Sequence, residues 1–184
     1  MKIERKWAMP NKWTFIIKPI AELLKEEINI NKEIWLDPYA GNNSPAQYRN
    51  DLNENTNAQD HEDALKWLKK RKEADGILLD PPYSLRQVSE HYKKAGIKIT
   101  GWHTSAGYNS KLKDEAARII KPGGKIISFG WNSMGLGKNR GFKITRILLV
   151  PHGGSKNDTI CTVEIKNLST PPLDSPPLNA KLKS

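Results

Sequence analysis

The chain has 184 residues and a mass of 20.8 kDa, a size that fits one domain. Hydrophobic residues make up 37% and charged residues 27%, a balance typical of a globular domain rather than a disordered chain. Its 30 Lys and Arg against 20 Asp and Glu give a net charge of +10, which favours a polyanionic partner such as nucleic acid.

The single cysteine, Cys161, excludes an internal disulfide and a cysteine-rich zinc site, as suits a reducing compartment. His152 has no neighbouring histidine or cysteine cluster, so no metal is proposed. No apolar stretch has the length of a signal peptide or of a membrane span. We therefore expect a cytoplasmic protein with no membrane partner.

The first half of the chain alternates between helical and strand patterns. Ile20, Leu23 and Leu24 recur at helical spacing. The short apolar run 33–37 ends in an acid before turn-forming residues, and a second short segment, 47–51, also ends in an acid before a polar stretch. The predicted elements are a helix over 19–28, strands over 33–37 and 47–51, and a helix over 61–72.

The second half continues this alternation and closes with a hairpin. The apolar run 74–79 ends at Asp80, where Pro81 and Pro82 stop regular structure. Together the elements describe a doubly wound α/β sheet, mainly parallel, with an antiparallel edge. The predicted domain is 1–166, followed by a Pro-rich, flexible tail over 167–184. Further elements are helices over 85–94 and 109–120, a turn over 121–124, and strands over 125–131, 142–150 and 159–166.

Three acids stand at the predicted carboxyl ends of strands. They are Asp37, Asp51 and Asp80. In open α/β sheets, ligands bind outside this edge, so the three acids predict a site there. Each acid taken singly has another interpretation, as a helix cap or a turn former.

The segment Asp80-Pro81-Pro82-Tyr83 follows directly on an apolar strand. It resembles the catalytic loop of the S-adenosylmethionine-dependent amino-methyltransferases, in their adenine-N6 branch. The resemblance implies that Asp80 and the carbonyl of Pro81 accept hydrogen bonds from the exocyclic amine, Pro82 rigidifies the loop and Tyr83 stacks on the base. Such acceptors stabilise the charge that develops on the attacking nitrogen, and the prolines restrict the backbone.

A second segment resembles the cofactor loop of the same family. It implies that S-adenosylmethionine is bound by Asp37, Pro38, Tyr39, Ala40, Gly41 and Asn42. Gly41 would allow close approach of the backbone to the cofactor. Asn43 stands where the family usually has a further glycine, a departure that bears on cofactor affinity.

Further cofactor residues follow from the same resemblance. Asp51 would accept hydrogen bonds from the ribose hydroxyls, and Asp63 would lie near the adenine amino group, a role for which Asp60 competes. The segment with Phe15 and Ile17 would close over the cofactor. The alternative for this segment is an ordinary helix start.

Short loops would have to recognise the nucleic acid, because no segment of domain size separates or follows the two loops. Candidate contacts are Ser84, Arg86, Lys93, Lys111, Lys138 and Arg140. The alternative is that these are solvated surface charges. Trp102, His103 and Trp131 are candidate base wedges or stacking platforms, although Trp131 also suits the core.

The resemblance covers roughly residues 10–166, and the chain looks like small phage or prophage adenine methyltransferases. It implies a Rossmann-like class I methyltransferase with a mainly parallel seven-stranded sheet and an antiparallel C-terminal hairpin. The function implied is methyl transfer to adenine N6 in DNA. RNA adenine, cytosine N4 and a non-catalytic, nucleic-acid-binding subunit remain alternatives. The oligomeric state stays open between a homodimer and pairing with a second methyltransferase chain.

Overall fold

A computed structural model describes residues 1–96, 100–101, 103–154 and 156–168. Within this part of the chain, no helix is long and apolar enough to cross a membrane. The predicted tail, 167–184, lies almost entirely outside the described residues, and Trp102 also lies outside them.

The described residues form four α-helices, two short 3-10 helices and one seven-stranded sheet. The 3-10 helices are Thr14–Ile16 and Lys138–Arg140. The other elements in chain order are β1 (Lys2–Arg5), α1 (Lys18–Glu27), β2 (Trp35–Asp37), β3 (Tyr48–Arg49), α2 (Ala64–Lys69), β4 (Ala74–Leu79), α3 (Leu85–Lys94), α4 (Ala106–Ile119), β5 (Ile120–Gly130), β6 (Phe142–Val150) and β7 (Thr159–Lys166).

The strand order in the sheet is β1-β6-β7-β5-β4-β2-β3. Strand β7 runs antiparallel to both of its neighbours, whereas the other neighbouring strands pair in parallel. This confirms the predicted mainly parallel sheet with a C-terminal hairpin. The carboxyl ends of β2, β3 and β4 meet at one edge, so the residues that follow these strands lie near one another.

Helices cover both faces of the sheet. Along β4, Ile77 and Leu79 join the core beneath α2 and α4, whereas Leu78 joins the core beneath α1. This alternation is the period of a strand buried on both faces. The continuous apolar run that predicted β4 therefore reflects two hydrophobic layers.

Two predicted helices have different boundaries in the structure. The helix predicted over 61–72 begins only at Ala64, because Asp63 caps its first turn by accepting a hydrogen bond from the Lys66 backbone N–H, and it ends at Lys69. The helix predicted over 109–120 begins at Ala106, because Ser105 caps it in the same way. Capping residues, rather than the apolar pattern, set both starts.

The turn predicted over 121–124 is instead part of β5, which begins at Ile120. Gly123 has a φ of 80° there, a conformation that favours glycine. The pairing of β4 with β5 shifts between Ala74 and Gly76. Pro122, Gly123 and Gly124 thus lie at an irregularity within β5 and do not form a turn that precedes it.

Strand β1 was not predicted from the sequence. It is short and mostly exposed, so it carries no apolar alternation. It pairs with β6, where the side chain of Arg146 is only 7% exposed and contacts Glu4 and Glu26, each at 2.6 Å. A buried guanidinium with three carboxylate partners, Glu27 at 3.2 Å being the third, therefore joins β1 and α1 to the sheet.

Candidate functional site

The carboxyl edge of β2, β3 and β4 opens into a cavity of about 560 Å³. Such an edge is where open α/β sheets bind ligands. Most of the residues predicted for the cofactor and for catalysis line it. They are Phe15, Pro38, Tyr39, Ala40, Gly41, Asn42, Asp51, Asp80, Pro81, Pro82 and Tyr83.

Asp37 lies behind the cavity wall. Its carboxylate is fully buried and accepts hydrogen bonds from the Tyr39 N–H at 2.9 Å and from the Ser44 hydroxyl at 2.6 Å. Burial raises the pKa of Asp37 to about 7, with a smaller contribution from the charges of Asp80 and Asp51. Asp37 therefore fixes the conformation of the loop after β2 through hydrogen bonds and does not face the cavity.

The loop after β2 is fixed from the other side by Asp51. One carboxylate oxygen accepts a hydrogen bond from the Gly41 N–H and the other from the Asn53 N–H, both at 2.9 Å. Gly41 has a φ of 53°, so its lack of a side chain is needed there. Positive φ occurs only at glycines among the described residues, so Asn43 occupies an ordinary conformation where the family usually has glycine.

The segment before α1 forms another wall of the cavity. Phe15 packs edge-on against Phe129, with ring centroids 5.2 Å apart, and Trp13 lines the cavity beside Gly41. Thr14 donates a hydrogen bond to Asp80. Ile17, which was predicted to contact the cofactor, is instead buried in the hydrophobic core.

The loop after β4 is short and held at both ends. Asp80 follows the strand directly, and the Tyr83 hydroxyl donates a hydrogen bond to it. Ser84 then caps α3 in a capping box with Gln87. The Tyr83 ring lies 5.7 Å from the ring of Trp131, which is 46% exposed and therefore lies at the site rather than in the core.

Burial also perturbs the acid of this loop. Asp80 keeps a partly exposed surface, yet burial of its carboxyl group raises its pKa to about 7, against the opposing effect of the Thr14 hydrogen bond. Two acids at this edge, Asp37 and Asp80, thus titrate near neutrality. Perturbed acids that line or adjoin a cavity are typical of functional sites.

The raised pKa of Asp37 predicts a dependence of stability on pH. The folded state retains the proton up to about pH 7, whereas the unfolded chain releases it near 3.8. The contribution of Asp37 to stability is therefore full below the unfolded pKa and is lost as the pH rises to about 7. The measurement is the difference in the free energy of unfolding between the wild-type protein and Asp37→Asn, obtained from urea titrations at several pH values. We expect this difference, wild type minus variant, to fall between pH 4 and pH 7. A difference that rises with pH would contradict this assignment.

A second cavity of about 280 Å³ adjoins the loop that follows β4. Five residues line both cavities, namely Tyr39, Pro81, Pro82, Tyr83 and Tyr92. The loop therefore contributes residues to two adjoining cavities. The remaining lining residues of the smaller cavity are Ser84, Val88, His103, Thr104, Tyr108 and Asn109.

Asp63 lines neither cavity. One carboxylate oxygen caps α2, and the other accepts hydrogen bonds from the hydroxyls of Tyr92 and Tyr108. Asp60 is engaged elsewhere, by the Trp67 indole at 2.7 Å and by Arg71 at 2.6 Å. Neither carboxylate is directed into the larger cavity in this structure.

The residues predicted to contact nucleic acid differ in their surroundings in the structure. Arg86 pairs with Glu90, and Arg140 pairs with Asp114. Lys93, Lys111 and Lys138 lie on the surface, and Ser84 caps α3. Among the described residues, no group of three or more His, Cys, Asp or Glu side chains is placed to hold a metal ion.

Sequence reasoning missed several site residues. Trp13 stands one residue before the segment 14–20 that was predicted to close over the cofactor, so its position was the available signal. Tyr92 and Tyr108 lie on α3 and α4 and come together only in the fold. No local pattern identifies them.

No protein-family model matches this chain, and no curated protein matches it. Its fold is similar to TrmN from Thermus thermophilus (TM-score 0.51, 18% identity, 82% of this chain and 49% of that chain). It is also similar to NSun6 from Pyrococcus horikoshii with SFG (TM-score 0.52, 15% identity, 79% and 50%). A third structure is provisionally assigned as a class I S-adenosylmethionine-dependent methyltransferase from Listeria monocytogenes (TM-score 0.53, 16% identity, 86% and 61%).

The chain thus spans about half the length of two of these proteins and 61% of the third. At such low identity the likeness shows the fold alone. It confirms the predicted Rossmann-like class I methyltransferase fold.

Proposed function

We propose that this protein transfers a methyl group from S-adenosylmethionine to the exocyclic N6 of adenine in DNA. One observation carries the proposal. In the loop after β4, Asp80 lines the larger cavity at the carboxyl edge of the sheet, and Pro81, Pro82 and Tyr83 line both this cavity and the smaller one that adjoins it. A group-transfer enzyme needs such an arrangement, because donor and acceptor must meet at one set of side chains.

The larger cavity fits S-adenosylmethionine. Its volume of about 560 Å³ is in the range of small-molecule sites. Gly41 presents backbone without a side chain, Asp51 offers a carboxylate for hydroxyl groups, and Phe15 supplies an apolar face. The structural neighbour NSun6 was solved with SFG. When bound, S-adenosylmethionine supplies an electrophilic methyl group on a sulfonium centre.

The loop after β4 would make the acceptor amine more nucleophilic. An aryl amine is a poor nucleophile because its lone pair is delocalised into the ring. Hydrogen bonds from its two N–H groups to the Asp80 carboxylate and the Pro81 carbonyl would favour a pyramidal nitrogen and stabilise its developing positive charge. S-adenosylmethionine would supply the methyl group as its carbon–sulfur bond breaks, Asp80 and Pro81 would hold the nitrogen that accepts it, and the proton that this nitrogen loses would pass to solvent.

The smaller cavity suits a planar base. Its walls include the rings of Tyr83, Tyr92, His103 and Tyr108. Aromatic faces stack on a base that has left the duplex, and hydroxyl or amide groups bond to its edge. The net charge of +10 supports a polyanionic substrate. DNA is proposed over RNA on the resemblance of the loop to the adenine-N6 branch.

The experiment measures the transfer of labelled methyl groups from S-adenosylmethionine to three unmethylated substrates of the same sequence. These are duplex DNA, single-stranded DNA and RNA. Digestion to nucleosides and chromatography identify the product. We expect label in N6-methyldeoxyadenosine, formed about 100- to 1000-fold more slowly with Asp80→Asn. Label only in RNA, or only in N4-methylcytosine, would overturn the assigned substrate but retain methyl transfer.

Calorimetry with S-adenosylmethionine distinguishes the proposed enzyme from a non-catalytic subunit. The enzyme is expected to bind the cofactor without a partner chain. Absence of binding and of transfer would contradict the proposed activity of the chain by itself. Restored transfer on mixing with a second methyltransferase chain would then indicate a heterodimer.

A further inference from the structure

Four side chains from four different segments form one hydrogen-bonded cluster. Asp63, which precedes α2, accepts hydrogen bonds from the hydroxyls of Tyr92 on α3 at 2.6 Å and of Tyr108 on α4 at 2.8 Å. The two hydroxyls lie 3.4 Å apart, and Tyr108 is also hydrogen-bonded to Tyr39 of the loop after β2. We name these four residues the tyrosine cluster.

The tyrosine cluster lies at the partition between the two cavities. Tyr39 and Tyr92 line both cavities, and Tyr108 lines the smaller one. His103 packs against two of these rings, at centroid distances of 4.6 Å from Tyr92 and 5.9 Å from Tyr108. The orientation of the aromatic wall therefore depends on where the tyrosine hydroxyls are held.

The Asp63 carboxylate is the common acceptor of this cluster. Its first oxygen accepts the Lys66 N–H at 3.0 Å, and its second accepts both tyrosine hydroxyls. Tyr92 and Tyr108 are buried, and hydrogen bonds to a charged acceptor are stronger than those between neutral groups. Burial raises the pKa of both tyrosines, so they stay protonated donors at neutral pH.

We propose that Asp63 is a positioning residue, which fixes the aromatic wall of the acceptor cavity relative to the cofactor cavity. The inference rests on the proposed function, because it assigns the smaller cavity to the methyl acceptor. It departs from the role that the family resemblance implies, in which this acid contacts the adenine amino group of the cofactor. The observed hydrogen bonds direct the carboxylate to the tyrosines.

The test uses Asp63→Asn in the full chain. Asparagine is a good helix cap and can keep an oxygen on the Lys66 N–H, while its amide NH₂ then replaces the oxygen that the tyrosine hydroxyls need. We expect kcat/KM for the acceptor to fall by about 10- to 100-fold, as for reacting groups displaced by about 1 Å. The Kd for S-adenosylmethionine, measured by calorimetry, is expected to stay within about twofold, since no contact with the cofactor is lost.

A double-mutant cycle separates the cluster from independent effects. We expect Tyr92→Phe/Tyr108→Phe to reproduce the loss in kcat/KM of Asp63→Asn, and the triple variant to be no worse than either, because all of them remove the same contacts. Asp75→Asn is the matched control. Asp75 accepts hydrogen bonds from the Ile34 N–H and Lys121 at the opposite end of β4, so its loss is expected to lower stability without changing kcat/KM.

The outcomes distinguish this inference from the function on which it rests. A Kd for S-adenosylmethionine weakened at least about tenfold by Asp63→Asn, but not by the tyrosine pair, would overturn the positioning role in favour of a cofactor contact. Additive losses in the triple variant would also overturn it. Wild-type protein that binds the cofactor but methylates no nucleic acid would overturn the proposed function, and the positioning role with it.

Discussion

Replacement of Asp80 by asparagine is expected to lower the rate of methyl transfer by about 100- to 1000-fold, the range for loss of a group that stabilises transition-state charge. The amide retains the size of the side chain, but it is neutral and presents an NH₂ group in place of one oxygen. The charge that develops on the attacking nitrogen then loses its carboxylate partner. The measurement is the initial rate at saturating S-adenosylmethionine, with the cofactor Kd determined separately.

The same substitution is expected to stabilise the protein without ligands at pH 8. The folded pKa of Asp80 is about 7, above the ordinary value of 3.8, so the ionised, buried carboxylate is unfavourable above pH 7. The neutral amide avoids that cost, and each kcal/mol gained shifts the melting temperature by about 2–4 °C. At pH 4 both side chains are largely neutral, and the difference is expected to diminish. A lower melting temperature at pH 8, or unchanged turnover, would contradict the role given to Asp80.

A gain in stability with a loss of activity is informative because a variant that merely destabilises the fold would lose both stability and activity. Asp80 lies at the mouth of a cavity and contacts Thr14 and Tyr83. It does not pack in either hydrophobic core cluster. Ionised Asp80 therefore lowers the stability of the free protein, and a functional role would explain why an acid occupies this position.

Where a local signal was strong, the sequence predicted the fold accurately. Strands β6 and β7 and helix α3 have the predicted boundaries. Turn residues limit the hairpin strands, and Ser84 caps α3 directly after the two prolines. These limits depend on neighbouring residues, so a single sequence contains them.

The sequence failed where long-range contacts decide the structure. Strand β1 is mostly exposed, and its place beside β6 depends on Arg146, which is 142 residues from its partner Glu4. Its pattern by itself indicates no strand. Only the fold shows the buried ion pairs that hold it.

The site shows the same division. The loops after β2 and β4 were predicted because their motifs are contiguous, and both line the larger cavity. The tyrosine cluster joins Asp63 to residues 29 and 45 positions away. The family resemblance directed this acid toward the cofactor, whereas its hydroxyl partners depend on how α3 and α4 pack.

Replacement of Asp51 by alanine is expected to weaken S-adenosylmethionine binding at least about tenfold, which corresponds to about 1.4 kcal/mol. The buried carboxylate accepts the backbone N–H groups of Gly41 and Asn53. Without it both partly buried donors lose their partner. The cost approaches the roughly 1–3 kcal/mol of an unsatisfied buried donor only where water cannot replace the carboxylate, and it amounts to about 1 kcal/mol or more in total. The loop that carries Gly41 then loses the fixed shape that the proposed cofactor site requires. Calorimetry with S-adenosylmethionine measures the effect.

The control for Asp51→Ala is Asp75→Ala, which also removes a carboxylate that accepts a backbone N–H, but at the far end of β4. Both variants are expected to have a lower melting temperature, and only Asp51→Ala is expected to lose cofactor affinity. Asp51→Asn should fall between wild type and alanine, because its single oxygen can accept one of the two backbone donors. Equal losses of affinity in Asp51→Ala and Asp75→Ala would mean that general destabilisation, rather than the shape of the loop, controls binding. An unchanged Kd in Asp51→Ala would remove this acid from the cofactor site.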